Sequence, residues 1–296
     1  MRRLFLGFAF LLLLPLGAIF SACQEEDNRR SQPSTEEPRT DAKLAIAWRW
    51  VEGGTFTMGS PAEDSTADDS EKPMHPVQLS SFWMSQTEVT NRQYRLFLAA
   101  MEAKGGAEWE AVKKSGPNFP GLDEKFKGDE QPVVRVSYGD ALAFCAWVGH
   151  GTTLPTEAQW EYACRAGGST RYSFGDVLER DQANFNESVW REGGKDISGR
   201  TRAVGSYPAN AFGLYDMHGN VEEWCADWHS KVYYRDCARE GLVENPTGPE
   251  RGIDRVARGG SWSEGAWVCH SRNRVWDEPS AQFLKRGFRV VAPLVY

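Results

Sequence analysis

The chain has 296 residues, of which 41% are hydrophobic, with 12 tryptophans, 29 glycines and a formal charge of −7. A net acidic chain lacks the basic surface that nucleic acid requires, so nucleic acid is excluded as a partner. So many glycines argue against a bundle of long helices and predict a Trp- and Phe-held core under irregular loops, because glycine interrupts regular elements.

The N-terminus has the layout of an export signal. Arg2 and Arg3 are followed by an almost wholly apolar run, Leu4 to Phe20, and then by the small residues Ser21 and Ala22. The run is long enough that an uncleaved spanning anchor is the alternative. Phe20-Ser21-Ala22-Cys23 resembles a bacterial lipobox, which implies a signal peptide over 1–22 and a lipid on Cys23. Residues 23–45 then form a lipidated, polar tether, with little apolar surface to offset the entropy of ordering. About 20 flexible residues span roughly 25 Å. Localisation at the cell envelope follows, with the membrane a partner through Cys23. Gln24 after the cysteine favours the outer membrane, by analogy, in an organism that has two.

Residues 46–296 are enough for one large domain. Val51 to Met58 combines β-formers with a Gly-Gly turn, and Val77 to Met84 alternates as a half-buried strand. Ser60 to Pro76, acidic and proline-containing, is expected to be a solvated loop. Thr90 is a helix N-cap ahead of Tyr94, Phe97, Leu98 and Met101. Ser137 opens a second helix with Asp140 in capping position and Leu142, Phe144, Cys145 and Val148 as apolar members. Thr156 opens a third, with Gln159 completing the box and Trp160 and Ala163 inward. From Ala166 no helical period exceeds two turns, so ions or side-chain hydrogen bonds are expected to organise the loops.

Six segments carry a family resemblance: Phe56 to Gly59 (FTMG), Thr87 to Asn91 (TEVTN), Leu154 to Ala163 (LPTEAQWEYA), Gly213 to Trp224 (GLYDMHGNVEEW), Arg258 to Trp262 (RGGSW) and Gly287 to Arg289 (GFR). In this order and spacing they resemble the formylglycine-generating enzyme, or sulfatase-modifying factor, family, from about Trp48 to Val291. The resemblance implies a single α+β domain, C-type-lectin-like, low in regular structure and stabilised by calcium. Proven members oxidise a sulfatase cysteine using copper and oxygen.

By the same resemblance, one calcium site maps onto the Asn184 side chain, the Phe185 carbonyl, the Asp196 side chain and the Ser198 carbonyl. A second maps onto Asp216 and Glu223 side chains with the Gly219 and Val221 carbonyls. All-oxygen sets suit a hard cation. The alternative is that these residues cap turns or are solvated.

Copper(I) in proven members is held by two cysteines after the Gly-Gly-Ser turn, soft sulfur for a soft ion. Here only Cys269 matches; Glu264 stands at the other position, and Glu222 stands where relatives commonly carry Trp. Copper and the known oxidation are therefore not expected. The other reading of Cys269 is a small core residue. Of the six cysteines, five remain once Cys23 is lipidated, so at least one is unpaired in a monomer. Cys225 and Cys237 are open as a pair, which needs Cα atoms within about 7 Å.

Two main functions remain, with a third beside them. One is a module binding a protein or small ligand at the envelope surface, with Trp267, His270 and Trp276 as contacts in the segment Ser263 to Arg286; the alternative for the tryptophans is the core. The other is a sulfatase-modifying or related oxidoreductase acting on an exported protein through Cys269, with Ser261 nearby. A structural accessory of an envelope machine is a third.

Overall fold

The computed structural model describes residues 39–41, 44–186 and 199–293. Cys23, Asp196 and Ser198 lie outside the described residues. No helix among those described is long and apolar enough to cross a membrane.

The described elements begin with β1 (Arg39–Asp41), β2 (Ile46–Val51) and β3 (Gly54–Met58), the last two joined by the turn that Gly53 makes possible. The expected strand over 77–84 is two strands, β4 (His75–Leu79) and β5 (Phe82–Ser85). The break falls at Ser80 and Ser81, whose polar groups are drawn into loop bonds. The Ser80 amide donates to Asn245 at 2.8 Å, and Ser81 Oγ accepts from the Gly53 amide at 2.8 Å. Within 60–76, expected to be a solvated loop, Ser60, Ser70, Glu71 and His75 are buried.

Helix α1 (Asn91–Lys104) starts at Thr90 with a reciprocal box between Thr90 and Gln93, and buries Tyr94, Phe97, Leu98 and Met101. Helix α3 (Tyr138–Val148) has the Ser137–Asp140 box, and α4 (Glu157–Arg165) the Thr156–Gln159 box. Leu142 departs from expectation by pointing outward, 38% exposed, while Ala141 takes the inward position. Two short helices were not expected: α2 (Gly106–Val112), and α5 (Tyr233–Glu240), just over two turns long.

The remaining strands are β6 (Glu222–Trp228), β7 (Val243–Glu244), β8 (Arg255–Arg258), β9 (Val275–Asp277), β10 (Arg286–Gly287) and β11 (Val291–Ala292). They complete three small sheets, β1-β2-β5-β11, β10-β6-β8-β9 and β3-β4-β7. All these elements belong to one compact unit starting at Pro38. Its main core stacks Tyr94, Phe97, Phe144, Trp147 and Phe288, with Tyr94 and Phe144 near parallel at 5.9 Å between centroids.

The interior is also charged. Arg258, Arg286 and Arg289 are all almost fully buried. Arg274 makes two bonds to Glu157 at 2.7 and 2.8 Å, and Arg258 bonds Glu161. Burial of a charge is tolerable only with such partners. These ion pairs join α4 to Arg258 at the end of β8 and to Arg274 just before β9, both far along the chain.

Candidate functional site

The Arg258-Gly-Gly-Ser-Trp segment leaves β8 through a turn that only glycine can make. Gly260 has φ +67°, and a Cβ there would lie 2.6 Å from Cys269 Sγ. Cys269 therefore packs directly beneath the turn. It is fully buried, and its thiol faces the Gly265 carbonyl at 3.7 Å. Burial first, then the negative charge of Glu264, push that thiol well above its usual value. A nucleophilic thiolate is disfavoured by both.

Ser261 is also buried, with Oγ donating to Glu264 Oε2 at 2.9 Å and lying 3.0 Å from Ser263 Oγ. Glu264 does not stand alone. Lys285 Nζ bridges it, at 2.6 Å, to Glu222 at 2.8 Å. Arg286 holds the other Glu222 oxygen through Nε at 2.8 Å and reaches Asp277 at 2.7 Å. Burial and then Glu222 push the Glu264 carboxyl up, while Lys285 pulls it back. Glu222 is itself fully buried, whereas the Lys285 side chain keeps 31% of its surface and Glu264 20%.

The donors where a copper pair would sit are thus one enclosed thiol and one carboxylate already bonded to an ammonium and a hydroxyl. Such a set does not fit copper(I). Cys145, Cys164, Cys225, Cys237 and Cys269 are all free and buried. The pairing of Cys225 with Cys237 is not made: one lies on β6 and the other on α5.

The three expected ligand contacts separate by exposure. Trp267 is 48% exposed. Trp276 is half-buried on β9, stacked flat on His229 at 3.9 Å. His270, expected as a contact, is instead 5% exposed, and burial, then Arg258 and Arg171, depress its pKa to about 3. The position is interior, and Arg258, Arg171 and Arg272 all oppose a charge on the imidazole there.

The acidic residues of the Gly213 to Trp224 segment lie behind this turn. Gly219, with φ +85°, passes so close to Asn184 that a Cβ would lie 2.4 Å from its carbonyl oxygen. The Asn184 amide nitrogen donates to the Arg200 carbonyl at 3.2 Å and to Asn220 at 3.1 Å. Phe185 is half-buried beside it. Asp216 is 7% exposed and accepts from the Gly205 amide at 2.6 Å. Glu223, on β6, is engaged at both oxygens. Arg289 Nε and Nη2 grip it at 2.6 and 2.7 Å, and Trp160 Nε1 donates to it at 2.8 Å.

A residue without an assigned role in the sequence joins this set. Glu88, from the Thr-Glu-Val-Thr-Asn segment, is 1% exposed. Its Oε1 accepts from the Asn220 amide at 2.9 Å. Its Oε2 has no hydrogen-bond partner among the described residues. The signal was an acid between Thr87 and Val89 in a segment entering a helix. Among the described residues no group of three or more His, Cys, Asp or Glu side chains is arranged to hold a metal ion.

Known proteins agree with this architecture. The family model for the sulfatase-modifying factor enzyme 1-like domain matches residues 34–294. The formylglycine-generating enzyme of Thermomonospora curvata is 32% identical, over 86% of this chain and 95% of its own length. The serine/threonine-protein kinase pkn1 of Chlamydia caviae is 34% identical over 86% of this chain. This chain spans only 40% of that kinase. Among solved structures, PvdO from Pseudomonas aeruginosa superposes with a TM-score of 0.71 at 28% identity, covering 88% of this chain and 100% of its own. The chain belongs to the sulfatase-modifying factor enzyme 1-like family, a single domain of the formylglycine-generating enzyme type.

Proposed function

We propose that this chain is a lipid-anchored envelope protein whose domain binds a protein or small ligand and does not carry out copper-dependent cysteine oxidation. The observation that carries the reading is the bond from Lys285 to Glu264. It fills with an ion pair the place where the family chemistry needs a second thiolate. Cys269, the thiol at the other position of the pair, is enclosed, and its burial favours the protonated form. In this reading Lys285 bridges Glu222 and Glu264, Arg286 supplies the second positive charge at Glu222, Ser261 fixes the Glu264 carboxylate, and the exposed Trp267 offers an aromatic anchor for a ligand. Calcium is proposed as a structural ion. The lipid on Cys23 confines the domain to partners within reach of its tether, at an envelope surface.

The second reading is a sulfatase-modifying or related oxidoreductase acting through Cys269. It is favoured by 32% identity to a formylglycine-generating enzyme over nearly all of that enzyme's length. Copper(I) titration, together with oxygen consumption on a cysteine-containing sulfatase peptide, separates the two. We expect neither tight copper binding nor oxygen uptake. Tight binding with turnover would overturn the binding-module reading.

A further inference from the structure

Two segments, 124–131 and 200–206, line a groove of about 500 Å³. Gln131 ties them together. Its Nε2 donates to the Lys125 carbonyl at 2.9 Å and to the Thr201 carbonyl and hydroxyl at 2.8 and 2.9 Å, while its Oε1 accepts from the Gly128 amide at 2.9 Å. The Val204 amide adds a bond to the Glu130 carbonyl at 2.7 Å. A second set of partners holds the same stretch: Asn220 accepts from the Arg202 amide at 2.9 Å, and Asn184 donates to the Arg200 carbonyl at 3.2 Å. With the backbone pinned in this way, Thr201 is buried at 1%, and Arg200 and Arg202 on either side of it are exposed into the groove.

The charges lining this groove do not cancel. Its two acids are taken by cations from outside the lining: Glu124 accepts from Lys127 Nζ at 2.7 Å, and Glu130 from Arg92 Nε at 2.8 Å. Lys125 keeps a long ion pair to Asp123, at 3.9 Å. The guanidiniums of Arg200 and Arg202 make no hydrogen bond or ion pair among the described residues. In a chain of net charge −7 this is a local excess of positive charge, gathered in one concavity rather than along the stripe that nucleic acid needs. A guanidinium fork matches the oxygens of a phosphate through paired N–H bonds, and an ammonium adds a point charge. The volume leaves room for a small group esterified to that phosphate. We infer that this groove binds a phosphate ester, held by Arg200 and Arg202 with Lys125 as the third cation. None of these residues belongs to the Glu222–Lys285–Glu264 chain, so the site is additional to the ligand face proposed above.

Isothermal titration calorimetry of the full-length chain in an uncharged detergent tests this with three probes: glycerol 3-phosphate as a monoester, glycerophosphoglycerol as the diester of a phospholipid headgroup, and sulfate as a bare anion. Wild type should bind at least one ester with a Kd below about 1 mM, and the double variant Arg200→Gln/Arg202→Gln should bind it at least about tenfold more weakly. Added salt should weaken binding in wild type. Both arginines are exposed, so the double variant should melt at the Tm of wild type. Lys104→Gln, which removes an exposed cation outside the groove, should leave the affinity unchanged. Tighter binding of the monoester assigns the groove to a soluble phosphate, and tighter binding of the diester to a lipid headgroup; both support the inference. It is overturned if neither ester binds at about 10 mM, if sulfate binds as tightly as the better ester, if the double variant keeps the wild-type affinity, or if Lys104→Gln weakens binding as much as the double variant. An unchanged affinity in Lys125→Gln would overturn the part given to Lys125.

Discussion

Glu222 and Glu223 are neighbours on one strand, both fully buried, and they serve two different regions of the molecule. Successive side chains of a strand point to opposite faces. Glu223 faces inward, gripped by one arginine and one indole in a place sealed from water. Glu222 faces the turn after β8, where it shares Lys285 with Glu264 and Arg286 with Asp277, close to partly exposed side chains. The inner pair is closed and one-to-one, which makes it an element of the fold. The outer chain of charges is branched and half-open, with Lys285, Glu264 and Asp277 all partly exposed.

The comparison can be broken by removing one charge from each side. Glu223→Ala leaves Arg289 buried without its carboxylate, and should cost about 3–5 kcal/mol of unfolding free energy in urea titrations. A loss under about 1 kcal/mol would mean that the inner pair is not closed as described. An intermediate effect is expected at the buried His270. Its depressed pKa, about 3, means the folded state refuses a proton that the unfolded chain takes up below about pH 6.5. Stability from this group is therefore present above pH 6.5 and lost as pH falls toward 3. His270→Asn should lose about 2 kcal/mol less than wild type between pH 7 and pH 5, since one pKa unit is about 1.4 kcal/mol. Equal losses in the two proteins would place His270 in contact with water. The smallest effect belongs to Lys285→Met. Arg286 still holds Glu222, and the lysine is partly solvated, so urea midpoints should report only about 1 kcal/mol. A loss as large as that of Glu223→Ala would erase the distinction between the two regions.

Local signals were read directly from the sequence. The N-cap at Thr90 and the capping boxes at Ser137 and Thr156 are formed, and Gln93 adds a box at Thr90 that was not expected, because donor and acceptor lie three residues apart and need no tertiary context. The family was legible for a similar reason: its segments are contiguous and kept in order. What could not be read depends on residues far apart in the chain. Glu88 was quoted as part of a motif, yet its orphaned oxygen appears only when Asn220, 132 positions away, has bonded the other one. His270 looked like a surface contact in a polar stretch; Arg258, Arg171 and Arg272 converge on it only after folding. Leu142 has an inward neighbour in Ala141 because the helix phase is set by what packs on it.

By itself the sequence determined the helix starts, the Gly-Gly-Ser turn and the single cysteine beyond it, since each is a matter of residue type or of spacing within one turn. Tertiary structure decided the rest: that Cys269 is sealed beneath Gly260, that Lys285 closes on Glu264, and that Arg289 grips Glu223. Those outcomes depend on desolvation and pairing of charges, and a charge acquires its partner only when distant segments are brought within hydrogen-bonding distance.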